Sequence, residues 1–66
     1  MRLNRIDLVC PVVVPQLGNS RRDVIEMREG LQLEFVPEEE VVEIRDADGK
    51  ALQLIPRDNV ASMTPG

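Results

Sequence analysis

Between residues 6 and 14 every even position is apolar: Ile6, Leu8, Cys10, Val12 and Val14. A period of two belongs to strands, whose successive side chains point to opposite faces, and no segment sustains the period of a helix. The alternation returns at Ile25 and Met27 and again at Leu31, Leu33 and Phe35. Valine and isoleucine, which suit a pleated and half-buried surface, recur along the chain. The pattern predicts an all-β protein. Pro, Gly, Asn and Ser crowd residues 15–20, Gly30 interrupts the second alternating segment and Pro37 ends the third, so each marks a bend or loop. Pro11 cannot donate to a ladder and is expected at an edge position or a bulge.

The best-specified local element is the hairpin over residues 46–50, Asp46-Ala47-Asp48-Gly49-Lys50, where a type I turn with Gly49 in the left-handed region makes a three-residue loop. Regular pairing from that loop sets Ile44 opposite Leu52 and Val42 opposite Leu54 on one face. It sets Arg45 opposite Ala51, Glu43 opposite Gln53 and Val41 opposite Ile55 on the other. The outer face is then polar near the turn and apolar at Val41 and Ile55. The Asp-x-Asp-Gly of the turn does not read as a calcium loop. Counted from Asp46, the twelfth position is Arg57 where a bidentate glutamate is needed, and Gly49 is not at the sixth.

With 66 residues the chain is a single domain, and folding at that size removes only about 60% of the exposed surface. Small domains compensate with disulfides, a metal or self-association. One cysteine and no histidine exclude an intramolecular disulfide and a Cys/His zinc site, so a tightly packed barrel or a homo-oligomer is expected. Cys10, within the apolar run, is expected to be a buried, inert thiol. No apolar run approaches the roughly 20 residues of a membrane span, and the start of the chain lacks a signal peptide's apolar core, so the expected location is cytoplasmic.

Twelve acidic residues against eight basic ones give a net charge of −4. Nucleic-acid binding, which needs a clustered basic surface, is not expected. The charges are segregated: Arg2, Arg5, Arg21, Arg22 and Arg28 lie in the first half, whereas Glu38, Glu39, Glu40, Glu43, Asp46 and Asp48 crowd the second. Without histidine, a nucleophile elbow or a phosphate-cradling glycine loop, no catalytic constellation can be assembled, and the protein is read as a binder rather than an enzyme.

From Pro56 the chain reads Pro56-Arg57-Asp58-Asn59-Val60, which resembles the end of a Src-homology-three-like barrel, where a Pro-x-x-Asn-Val single turn joins a hairpin to the final strand. The resemblance covers the last third of the chain, from Val41 onward. It implies a five-stranded, partly open barrel with one single-turn helix before the last strand. The aromatic groove used by the peptide-binding members is not implied, because Phe35 is the only aromatic residue. The compact ending is also similar in style to small bacteriophage-encoded accessory proteins. Residues 29–35 are similar to swapped-hairpin transcription-factor domains, whose DNA-binding role the acidic charge does not suit.

Three functions follow as expectations: a module that binds and modulates a protein partner, an oligomeric binder of an anionic small molecule such as a nucleotide, or a structural component of a viral or other assembly. The anion would be held by Arg21, Arg22 and Arg28, whose planar donor forks match phosphate unless neighbouring carboxylates such as Asp23 and Glu26 occupy them. A partner or a second copy would use Val9, Val13, Val41 and Ile55, together with Glu38, Glu39 and Glu40. No cofactor or metal is expected.

Overall fold

A computed structural model describes all 66 residues. Six antiparallel strands follow one another: β1 Arg2–Val13, β2 Arg21–Glu26, β3 Gln32–Val36, β4 Val41–Arg45, β5 Ala51–Pro56 and β6 Val60–Pro65. The only helical elements are the 3₁₀ turns Pro15–Leu17, Met27–Glu29 and Arg57–Asn59, the last of them immediately before β6. The sheet order is β2-β1-β3-β4-β5, with β6 also paired to β1, and β5 and β6 do not pair to close it. The all-β, partly open architecture agrees with the expectation, with six strands in place of five. No helix is long and apolar enough to cross a membrane.

β1 organises the molecule because it is shared. Phe35 N donates to Met1 O and Gly66 N donates to Arg2 O, so successive carbonyls place β3 and β6 on opposite edges of β1. Farther along, β2 takes over the edge that β3 leaves, pairing Asp7 with Val24 and Val13 with Arg21. A register shift between Asp7 and Val12 contains Pro11, the bulge expected from its missing N–H.

Eleven buried side chains, all apolar, form the core, drawn from every strand and from the segments that follow β1 and precede β3. Leu3, Ile6, Leu8, Val14, Ile25, Leu31, Leu33, Val42, Ile44, Ile55 and Val60 contribute, and Phe35 and Leu52 pack against them. The inward alternation of β1 is interrupted at Cys10 and resumes at Val12, which packs against the core, and at Val14, which is buried in it. Pairing with β6 stops at Leu8 and Val60, beyond which β2 is the only strand neighbour of β1 and the register shift around Pro11 begins. Cys10 is therefore exposed rather than buried, correcting the expectation of a core thiol.

The 46–50 turn forms as the sequence predicts: Asp46 N donates to Lys50 O at 2.9 Å, Gly49 N donates to Asp46 O at 3.0 Å, and Gly49 has φ 89°. The Asp46 carboxylate also accepts the N–H groups of Asp48 and Lys50. Arg45 opposes Ala51 as expected, but the next pair is Ile44 with Gln53, so Leu52 is the extra residue of a bulge. Val42 then opposes Ile55 and Glu43 opposes Leu54. A one-residue shift exchanges faces. Ile55, expected on the outer face, is 1% exposed in the core, and Leu54 takes the outer position at 53%.

Candidate binding surface

The three-residue turn Arg57–Asn59 ties two remote segments together. At its start, Arg57 N donates to Glu40 O at 2.8 Å, holding the loop 37–40 between β3 and β4. At its end, the Asn59 side chain pairs with the backbone of Cys10: Cys10 N donates to Oδ1 at 2.7 Å and Nδ2 donates to Cys10 O at 3.0 Å. A side-chain amide offers an acceptor and donors in one plane, as a peptide group does, so Asn59 substitutes for a strand partner just before β6 begins. Arg57 turns its guanidinium back onto Val60 O at 2.7 Å.

The acidic loop and the exposed run of β1 consequently flank the same turn. Glu38, Glu39, Glu40 and Asp58 are all exposed, and none forms an ion pair within the chain. Val9 is 62% exposed and Val13 41%, with Cys10 and Pro11 between them also open to solvent. On the outer face of the sheet, Val36, Val41 and Pro56 form one cross-strand row, and Glu34, Glu43 and Leu54 form the next. Val41 is half-buried there, one residue from Glu40. Of the residues named from the sequence for an interface, Glu38, Glu39, Glu40 and Val41 belong to the segment bonded at one side of this turn and Val9 adjoins Cys10 at the other, whereas Val13 lies farther along β1 opposite Arg21 and Ile55 is inside. Asn59 and Leu54 were not singled out as site residues. The Pro-x-x-Asn-Val spacing marks Asn59 for the turn but not for its bond to Cys10, and Leu54 depends on the Leu52 bulge.

The three arginines are placed differently. Arg22 pairs with Glu29, and Arg28 pairs with Glu26 at 3.2 Å. Glu26 and Glu29 also form a reciprocal capping box around the Met27–Glu29 turn. Arg21 alone has no ion-pair partner. A shallow depression of about 300 Å³ lies beside Asn4, Glu26, Met27 and Arg28, bringing in one of the arginines together with a carboxylate. An anion there meets Glu26 as well as Arg28, which offsets the attraction.

Comparison of the chain with protein-family models, with curated proteins and with solved structures found no match.

Proposed function

We propose that this chain is a non-enzymatic binding module that holds and modulates a protein partner at the surface around the Arg57–Asn59 turn. The observation that carries this reading is that one turn is bonded both to the loop of unpaired carboxylates, at Glu40, and to the exposed run of β1, at Cys10, a run that extends from Val9 to Val13. Exposed apolar groups supply burial on association, and unbalanced charge of one sign steers and orients a partner of the other sign. The partner segment is therefore basic and apolar. The strand order and the turn before β6 support the Src-homology-three-like resemblance. Self-association would use Val9 and Val13 too, but it would bring like charges together, which favours a different protein as the occupant.

The anion-binding alternative has less support, because Arg22 and Arg28 already face carboxylates. Affinity capture from the native cell separates the readings. The parent protein is expected to retain a protein that is lost both from the Glu38→Gln/Glu39→Gln/Glu40→Gln variant and from Val9→Lys/Val13→Lys. Mass spectrometry of the denatured parent is expected to release no small anion. Release of a nucleotide, or retention of the same protein by both variants, overturns the proposal.

A further inference from the structure

Three strands of the sheet have an unpaired edge, and they differ in chemistry. β2 carries Arg21, Arg22, Asp23 and Glu26, whereas β5 and β6 carry no charged residue in a chain that is 30% charged. Charges, prolines and bulges are the usual protection of an open edge against strand addition. β6 ends in Pro65, and its register against β1 shifts twice. β5 is interrupted at Leu52 and stopped at Pro56, and it leaves Leu54 open between them.

The ladder determines which groups face outward. Arg57 N bonds Glu40 O on the β4 side, so the two-residue alternation directs Ile55 and Gln53 to β4. Leu54 then turns its N–H and C=O, and Pro56 its C=O, away from the sheet. The Leu54 side chain stands half-exposed beside these groups. Carboxylates outnumber the cations beside both ends of the edge: Glu38, Glu39 and Glu40 against Arg57 at the Pro56 end, and Asp46 and Asp48 against Lys50 at the Ala51 end.

We infer that β5 accepts an extended segment of the partner as an additional strand, with an apolar residue beside Leu54 and lysine or arginine towards both ends of the segment. Main-chain bonds to Leu54 supply the pairing and the flanking carboxylates supply the preference for basic ends. A second copy fits less well. Antiparallel pairing of two β5 strands sets Glu38, Glu39 and Glu40 of one chain near Asp46 and Asp48 of the other, an excess of like charge that Lys50 and Arg57 offset only in part. This inference rests on the proposed binding function and specifies the partner's backbone conformation.

The probe is a fluorescein-labelled peptide with two lysines at each end and Thr-Val-Thr between them. Its control is the same peptide N-methylated at alternate residues starting from the valine. Fluorescence anisotropy is expected to show saturable binding to the parent, weakened about tenfold or more by N-methylation, because one or two strand bonds are removed without changing charge. Leu54→Pro removes the outward N–H where an edge strand tolerates proline and is expected to weaken binding similarly, with circular dichroism verifying the fold. Should that variant not fold, the methylated peptide still decides. Absence of binding, or equal binding of both peptides, overturns strand addition. So does a parent dimer in sedimentation that Leu54→Pro dissociates, since a second copy then occupies the edge. Native capture that depends on Glu38, Glu39 and Glu40, together with peptides that fail, leaves the binding surface standing and removes strand addition alone.

Discussion

Glu40 holds φ 53°, the left-handed conformation that a side chain other than glycine rarely adopts, at the point where its carbonyl receives the Arg57 N–H. A residue kept in that region at some cost, with its carboxylate unpaired, fits a position used for recognition. Glu40→Gly is expected to leave the fold as stable or to stabilise it by up to about 1 kcal/mol while weakening partner capture. Urea denaturation beside the capture assay measures both. A loss of stability would contradict the assignment of strain. At Gly49 the same physics has the opposite sign: φ is 89°, and Gly49→Val is expected to destabilise by about 1–2 kcal/mol even though a Cβ would meet no atom within 4 Å. Asn59 makes two bonds to Cys10, so Asn59→Ala is expected to cost about 1–2 kcal/mol. Its hydrogen-exchange signature is faster exchange at Cys10 N–H, and unchanged protection there would show that the amide does not act as the strand partner.

At the scale of elements, the legible features were those that local chemistry determines. Alternation announces the strands, Pro11 the bulge in β1, and Asp46 with Gly49 the turn, because each depends on neighbours in sequence. The side of the sheet that each residue faces was legible except where a strand loses regular pairing: Val12 and Val14 face inward as the alternation predicts, while Cys10 does not. Cys10 turns outward where pairing with β6 has stopped and the register shift between Asp7 and Val12 intervenes, and Ile55 turns inward because Leu52 bulges; neither event is written in the two-residue pattern. The candidate surface was legible in part. The acidic run and the valines could be named, but their meeting requires the Arg57–Asn59 turn to bond Glu40 on one side and Cys10 on the other. The shifted register has a direct consequence for stability. Ile55→Ala, which opens a cavity in the core, is expected to cost about 2–5 kcal/mol, and Leu54→Ala less than about 1 kcal/mol. Regular pairing reverses that order, so chemical denaturation of the two variants discriminates between the registers.

For the molecule as a whole, the core is entirely apolar and the ionic interactions lie at the surface, so the pH dependence of stability belongs to a few carboxylates. The Arg22 guanidinium and the Glu26 N–H hold Glu29 below its ordinary value. Arg5 and Ser62 do the same for Asp7, and the N-terminal ammonium for Glu34. A carboxylate whose pKa is lower in the folded chain than in the unfolded one contributes its full stabilisation above the unfolded value and loses it as pH falls through the folded value. Asp7 and Glu34 are open to solvent, and screening diminishes their share. Glu29, with its side chain 23% exposed and bonded on two sides, carries more of the effect. The melting temperature is therefore expected to be level near neutrality and to fall below about pH 5, where unfolded glutamate begins to take up protons. Glu29→Gln keeps an acceptor for the Glu26 N–H but cannot titrate, so it should lower stability at neutral pH and flatten the acid decline. Glu39→Gln, which removes an unpaired surface charge, should leave stability at neutral pH unchanged. Calorimetric melts of the three proteins from pH 7 to pH 3 test this, and an acid decline as steep in Glu29→Gln as in the parent would assign the pH dependence to other groups.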